Sequence, residues 1–123
     1  MKKDTLYISA NNGGRVYCYD ADSLFSNLQD VEYIDVSYLD ISKCTTATYM
    51  FAFSPKLKQI KGLNRLDFSH VKNMCALFTG CKSLEELDVT GWNTERVTDM
   101  GAMFMNCYNL KTIRGLETWN TSN

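Results

Sequence analysis

An internal repeat constrains this chain more than any other feature of its sequence. Four copies can be laid over one another, and their first residues are Phe25, Phe51, Phe78 and Phe104. These starts lie 26, 27 and 26 residues apart. A period of about 20 to 50 residues is typical of proteins that stack short structural units. One such unit cannot bury its apolar side alone, so we expect neighbouring copies to cover one another.

Apolar residues recur at the same places in each copy, and we predict that they form the core. The sets that follow the opening Phe by six and by nine residues are Val31, Leu57, Leu84, Leu110 and Ile34, Ile60, Leu87, Ile113. A set of larger residues comes next: Leu39, Leu66, Trp92 and Trp119. The last sets are Cys44, Val71, Val97, then Ala47, Met74, Met100, then Met50, Leu77, Met103. Their spacing of three residues predicts one face of a short helix.

The third copy and the start of the fourth carry the most informative stretch. It reads C-K-S-L-E-E-L-D-V-T-G-W-N-T-E-R-V-T-D-M-G-A-M-F-M-N-C-Y-N-L. This pattern resembles the BspA-like leucine-rich repeats of bacterial surface proteins. The resemblance covers residues 23 to 123 and is weaker in the first two copies. There Leu28 and Ser54 replace the Cys of the later copies, and Leu39 and Leu66 replace the Trp. The resemblance implies a leucine-rich-repeat fold, binding or adhesion, and no catalytic residues.

The predicted fold class is therefore α/β. We expect a short leucine-rich-repeat solenoid of about four coils, with a parallel sheet on one face, short helices on the other and an N-terminal β-hairpin cap. A chain of 123 residues has the length of a single domain. Within residues 1–123, residues 1–22 form the predicted hairpin cap. Residues 23–123 form the repeats, of which the last is incomplete.

The predicted cap is a hairpin over residues 5–19. Two alternating segments flank the turn residues Asn11 to Gly14, which accept the backbone conformations that hairpin turns need. One face of the hairpin would carry Leu6, Ile8, Val16 and Cys18, and the other Tyr7, Tyr17 and Tyr19. Two compatible roles stay open for it. The hairpin covers the open end of the first coil, or its tyrosines form an exposed binding patch, since Tyr is enriched at interfaces.

The fourth copy stops at Asn123. It therefore lacks the segment that we predict to be helical in the third copy. Three interpretations stay open for this end. The chain is a piece of a longer protein, it self-associates through the uncapped C-terminal coil, or its end is incompletely ordered.

Composition excludes several function classes. The net charge of −1 lacks the basic excess of nucleic-acid binders, so no nucleic acid is expected as a partner. No apolar run is long enough for a membrane span. No leader-like apolar segment follows the N-terminal lysines. We therefore expect a cytoplasmic protein if the chain is full length, and a cell-surface or secreted one if it is a fragment.

The five cysteines, Cys18, Cys44, Cys75, Cys81 and Cys107, are an odd number, which argues against a closed disulfide framework. Most of them fall at positions for small apolar residues. We predict buried free thiols in a reducing compartment, with a ladder disulfide between Cys81 and Cys107 as the alternative. No Cys-x2-Cys pairing exists, so we predict neither a metal site nor a cofactor.

Charged residues form columns on the predicted strands, and these columns are the candidate partner-binding site. One column reads Glu32, Lys58, Glu85, Lys111, and another reads Asp35, Lys61, Asp88, Arg114. Between them lies Tyr33, Gln59, Glu86, Thr112. The ladders have two interpretations, because alternating charges can set the strand register or line a solenoid's binding surface. A face that neutralises itself disfavours a nucleic acid backbone as partner.

The sequence offers no catalytic constellation. His70 is the only histidine, and no nucleophile lies at a spacing that completes a triad. No Gly-rich phosphate loop is present. We therefore predict a non-catalytic protein-protein interaction or adhesion module of BspA-like type. The alternative is a stand-alone small intracellular inhibitor, encoded by a phage or mobile element, that blocks a host or defence protein. A third interpretation is a structural spacer between other domains.

Overall fold

A computed structural model describes residues 4–10 and 12–120 of the chain. The predicted turn residue Asn11 lies outside the described residues. The same holds for residues 1–3 of the predicted cap and for residues 121–123 of the last copy.

The described residues contain seven short β-strands, and every strand pairing among them is parallel. The strands are β1 (Thr5–Tyr7), β2 (Val16–Tyr17), β3 (Tyr33–Asp35), β4 (Leu39–Asp40), β5 (Gln59–Lys61), β6 (Glu86–Asp88) and β7 (Thr112–Arg114). They form three small sheets with the orders β1-β3-β5, β2-β4 and β6-β7. Strands β3, β5, β6 and β7 come from the four successive copies of the repeat.

The strand register confirms how the copies align. Ile34 lies opposite Ile60, and Leu87 lies opposite Ile113. Before the first copy, Leu6 of β1 takes the same position beside Ile34. Equivalent apolar residues therefore lie side by side on neighbouring strands, as the alignment of the repeat predicts.

The predicted core columns are buried. In the two middle copies, Phe51, Phe78, Leu57 and Leu84 have no exposed surface. The opening phenylalanines stack in sequence, with ring centroids 5.5 Å apart from Phe25 to Phe51 and from Phe51 to Phe78, and 5.8 Å apart from Phe78 to Phe104. Residues of the fourth copy pack against this core but are only partly buried: Phe104, Leu110, Ile113 and Trp119.

The prediction of an N-terminal hairpin is wrong. A hairpin would pair β1 with β2 in antiparallel fashion, whereas β1 pairs with β3 and β2 pairs with β4, both in parallel. The first segment thus continues the repeat instead of closing on itself. The predicted division of its side chains into an inner and an outer set is confirmed. The inner set packs against the core, and it consists of Leu6, Ile8, Val16 and Cys18. The outer set is exposed, and it consists of Tyr7, Tyr17 and Tyr19.

The prediction of helices opposite the sheet is also not supported. The described residues contain two short 3-10 helices, Leu63–Arg65 and Leu116–Thr118, and the expected helical segments are successive turns. Their backbone N–H groups bond to carbonyls about one repeat length further along the chain, as from Phe51 to the Leu77 carbonyl at 3.0 Å and from Phe78 to the Met103 carbonyl at 2.9 Å. A spacing of three residues suits such turns as well as a helix, so periodicity alone could not separate them.

Side chains of Asp and Asn shape the bends between segments. The Asp35 carboxylate accepts a hydrogen bond from the Ser37 N–H at 3.0 Å, and Asp88 accepts one from the Thr90 N–H at 3.0 Å. Further bends use the same Asx turn, with Asp20, Asp40, Asp67, Asn73, Asn93 and Asp99 as acceptors. These residues compete with regular hydrogen-bonding ladders and so end each short segment.

Candidate partner-binding site

The structure brings the predicted site residues together on one side of strands β3, β5, β6 and β7. We call this side the sheet face. Nine of its twelve residues are exposed: Tyr33, Lys58, Gln59, Lys61, Glu85, Glu86, Lys111, Thr112 and Arg114. The other three, Glu32, Asp35 and Asp88, are half-buried. The inward residues of the same strands, Ile34, Ile60 and Leu87, belong to the core.

An ion pair links the first two residues of the first charge column, Glu32 and Lys58. Lys58 Nζ lies 2.6 Å from Glu32 Oε1, and the Lys58 N–H also donates to the Glu32 carbonyl at 2.7 Å. The hydrogen bond and charge of Glu32 raise the pKa of Lys58. Lys111 donates its backbone N–H to the Glu85 carbonyl at 2.9 Å. Within residues 4–10 and 12–120, however, no ion pair involves Glu85 or Lys111.

The second column combines charge pairing with a structural task. Asp35 lies beside Lys61 in the register, and Asp88 lies beside Arg114. The hydrogen bonds from Thr90 hold the pKa of Asp88 below its usual value, with Arg114 contributing in the same direction. Burial raises the pKa of Asp35, but hydrogen bonds from Ser37 and the nearby cations outweigh it, so the net shift is downward. Both aspartates therefore shape the chain as well as carry charge.

The sheet face is interrupted between the second and third copies. Strands β5 and β6 follow each other in the repeat, yet they are not hydrogen-bonded as neighbours. A cleft of about 430 Å³ opens at this point, which we call the central cleft. Its walls combine charged residues with Tyr33, Gln59, Ile60, Leu63 and Leu87. A second depression of about 250 Å³ lies over β1, β3 and β5 and shares Tyr33 and Gln59 with it.

Sequence reasoning missed several residues of this face. Thr5 and Tyr7 line the second depression, because β1 extends the sheet instead of forming a hairpin. Leu63 lines the central cleft from the 3-10 helix that follows β5. The signal for Leu63 was available, since Gly62-Leu63 and Gly115-Leu116 are insertions in alternate copies.

The predicted patch of three tyrosines is divided. Tyr7 lies on the sheet face, whereas Tyr17 lies in the separate β2-β4 sheet. Tyr17 is 62% exposed and Tyr19 is 74% exposed. These two side chains remain a second exposed aromatic surface.

The cysteines are free thiols in the structure. Burial raises the pKa of the Cys81 thiol to about 12 and that of the Cys44 thiol to about 11. Cys81 donates to the Phe51 carbonyl at 3.0 Å, and Cys107 donates to the Phe78 carbonyl at 3.1 Å. Cys81 is buried and Cys107 half-buried, and both thiols act as hydrogen-bond donors to the backbone of the preceding copy.

The described part of the chain contains neither a cluster of metal-ligating side chains nor a helix that could span a membrane. Among residues 4–10 and 12–120, no three or more His, Cys, Asp or Glu side chains are grouped so as to hold a metal ion. The helices in the same ranges are too short to cross a membrane.

Comparison with known proteins identifies a family and a similar fold. A family model described as "Mycoplasma protein of unknown function, DUF285" matches residues 19–123. No curated protein matches the sequence. A crystal structure of a leucine rich cell surface protein from Faecalibacterium prausnitzii A2-165 matches with a TM-score of 0.53 and 16% identity. The match covers 99% of this chain and 33% of that one, so the chain spans about a third of that structure's length. At this identity the likeness concerns the fold alone.

Proposed function

The chain belongs to the DUF285 family, and from this premise we propose that it is a non-catalytic protein-interaction module that binds its partner through the sheet face. We further propose that its copies stack as the coils of a leucine-rich-repeat solenoid of BspA-like type. The single observation that carries the proposal is the sheet face itself, where exposed polar and aromatic side chains surround two depressions on a buried apolar support.

The chemistry of this face supports binding of protein better than binding of nucleic acid. Its columns alternate in sign, so their charges cancel over the length of a phosphate backbone. A protein partner instead presents charges of both signs at short intervals. Tyr33 and Tyr7 add aromatic surface, which protein interfaces favour. Short strands with a packed core behind them hold these side chains in fixed positions, which lowers the entropy lost on binding.

Adhesion at a cell surface is the first form of this proposal, because the fold is that of a leucine rich cell surface protein. Blocking of a partner inside the cell is the second form. The free thiols favour it, since reduced cysteines are typical of reducing compartments. Both forms use the same face, so one set of variants serves to test them.

The test is affinity capture under reducing conditions, from extracts of the source organism and of the cells around it. The sheet-face variant carries Tyr33→Ala, Gln59→Ala and Thr112→Ala, which change exposed side chains and leave the core intact. We expect the wild type to retain a protein that the variant loses.

Two matched variants separate the sheet face from other surfaces. Tyr17→Ala with Tyr19→Ala removes the second exposed aromatic surface, and Tyr108→Ala removes an aromatic side chain that is 71% exposed outside the sheet-face depressions. Both should retain the partner. Loss of the partner in the Tyr17 and Tyr19 variant, with retention in the sheet-face variant, contradicts the proposal.

A further inference from the structure

The interruption between β5 and β6 is confined to the sheet face. On the opposite side, the same two copies are joined by hydrogen bonds from the Phe53 N–H to the Thr79 carbonyl at 2.7 Å and from the Cys81 thiol to the Phe51 carbonyl at 3.0 Å. On the sheet face, β3 pairs with β5 and β6 pairs with β7, but β5 and β6 do not pair. The copies therefore stay joined behind a local opening of the sheet.

Alternation along a parallel ladder shows which peptide groups face this opening. Lys61 accepts a hydrogen bond from Val36, so the peptide groups of Gln59 and Lys61 face β3. Thr112 donates to Glu85 and Val89 donates to Arg114, so the odd-numbered residues around β6 face β7. The peptide groups of Ile60 must then face β6, and those of Glu86 and Asp88 must face β5. Main-chain donors and acceptors thus border the central cleft on both sides.

The order of the copies explains why the opening lies here. Gly62 fits against Ser37 of the preceding copy, where an added Cβ would lie 2.8 Å from the Ser37 Cα, and Gly115 fits against Thr90 in the same way at 2.5 Å. Both fits place a copy with the extra glycine directly after a copy without it. At β5 and β6 the order is reversed, because a copy without the extra glycine follows a copy that has it. An added Cβ at Gly91 would have the Asn64 carbonyl oxygen as its nearest atom, at 3.9 Å. The tight backbone contact is missing at that junction.

The charges around the central cleft are unequally satisfied. Lys58 is held by Glu32 at 2.6 Å, and Arg114 lies beside Asp88 in the strand register. Glu85 and Glu86 are exposed, and no ion pair of the described ranges, residues 4–10 and 12–120, includes either of them. The lining of the cleft has two cations, Lys58 and Arg114, against three carboxylates, Glu85, Glu86 and Asp88, so it carries one excess negative charge. These charges lie above an apolar floor, which consists of Ile60, Leu63 and Leu87.

We propose that the central cleft binds a basic side chain from an extended segment of a protein partner. This inference rests on the proposed function of the sheet face. The aliphatic stem of an Arg or Lys packs on the apolar floor while its charged head reaches Glu85 and Glu86. Tyr33 at the rim offers its ring face to the same cation.

The experiment uses defined peptides and residue-resolved NMR of the whole chain. The probes are acetylated and amidated Gly-Thr-Arg-Thr-Gly and the same peptide with Glu in place of Arg. We expect the Arg peptide to shift the amide resonances of Ile60, Glu86 and Asp88 in a saturable manner, and less so as salt is raised. The Glu peptide should leave them unchanged.

Variants identify the charges that matter. Glu85→Gln with Glu86→Gln should weaken binding of the Arg peptide by about fivefold, the fold-change that corresponds to an exposed ion pair of about 1 kcal/mol. The control Glu117→Gln changes an exposed carboxylate outside the cleft and should leave the affinity unchanged.

Several results overturn the inference. They are equal binding of the Arg and Glu peptides, shifts confined to Tyr17 and Tyr19, unchanged affinity in the Glu85 and Glu86 variant, and no shift with either peptide. A partner captured by the sheet face that binds this variant as tightly as the wild type overturns the cleft inference alone, because binding by the sheet face then stands.

Discussion

Gly62 is the residue at which the backbones of two copies approach most informatively. Its φ is +83°, and an added Cβ would lie 2.8 Å from the backbone N and Cα of Ser37. Gly91 has nearly the same φ, +85°, but the atom nearest to an added Cβ there is the Asn64 carbonyl oxygen, at 3.9 Å. The two glycines therefore share a conformational requirement and differ in the space around them.

Substitution of Gly62 tests this close approach. We expect Gly91→Ala to lower the free energy of unfolding by about 1–2 kcal/mol, the cost of placing a side chain in the left-handed region. Gly62→Ala should cost clearly more, because backbone atoms of the neighbouring copy must also move. Urea unfolding of both variants is the measurement. Equal losses would show that the copies do not approach as closely as the structure has them.

The two tryptophans offer a second comparison at this scale. Trp92 Nε1 donates to the Leu63 carbonyl at 2.9 Å, whereas Trp119 Nε1 is buried and lacks a hydrogen-bond partner among the described residues. Their rings stack with centroids 5.6 Å apart. Trp92→Phe should therefore cost about 1 kcal/mol more than Trp119→Phe, because it removes a buried hydrogen bond to the Leu63 carbonyl, which then keeps only its bond from the Leu66 N–H. Thermal unfolding checks this, and an equal or larger loss at Trp119 contradicts it.

At the scale of elements, the bends between segments depend on acidic side chains in Asx turns. Hydrogen bonds from Ser42 hold the pKa of Asp40 below its usual value, and those from Thr90 do the same for Asp88. A carboxyl whose pKa is lower in the folded state stabilises the fold above its unfolded pKa, which is about 3.9. That stabilisation is lost as the pH falls through the folded-state pKa.

Asp88→Asn isolates the charge from the turn. Asn keeps the acceptor, as Asn73 shows by accepting the Cys75 N–H at 2.9 Å. We expect the variant to lose less stability than the wild type between about pH 6 and pH 3, because it has no carboxyl to protonate at this bend. Chemical unfolding at several pH values measures this. Parallel curves for the two proteins would show that Asp88 contributes nothing to the pH dependence.

The elements also show what could be predicted from the sequence. The spacing of Phe25, Phe51 and Phe78 predicted which residues are buried, and the alternation in residues 33–35 and 86–88 predicted which side of each strand is exposed. Burial and the exposed side of a strand can both be predicted from the period of the pattern alone. The strand with which a segment pairs cannot, because the alternation of residues 5–8 suits a hairpin and a parallel pairing equally. Residues 22–27, 48–53, 75–80 and 101–106 form turns, and we call this part of the molecule the turn side. The sequence predicts helices there because turns and helices share a spacing of three residues.

The central cleft also could not be predicted from the sequence. The charge columns were predicted by treating all four strands as one continuous sheet. The opening between β5 and β6 depends on the order in which copies with and without the extra glycine follow each other. Gly62 and Gly115 mark that order in the sequence, but only the structure shows that an added Cβ at either position would lie within 3 Å of the neighbouring backbone.

At the scale of the whole molecule, the copies place a continuous core behind one exposed face. Behind the face, the stacked rings of Phe51 and Phe78 link the middle copies. On the face, the charges, aromatic side chains and central cleft are held by short strands. We therefore propose that partners bind to the sheet face and that the turn side supports it.

Site-specific photo-crosslinking tests whether a partner binds to the sheet face. A photoreactive phenylalanine analogue replaces Tyr33 on the sheet face in one protein and Tyr49 on the turn side in another. The two side chains are 36% and 41% exposed, so they capture chance contacts equally well. We expect a discrete crosslinked partner from position 33 and none from position 49. A partner crosslinked from position 49 alone, or from neither position, contradicts the proposal.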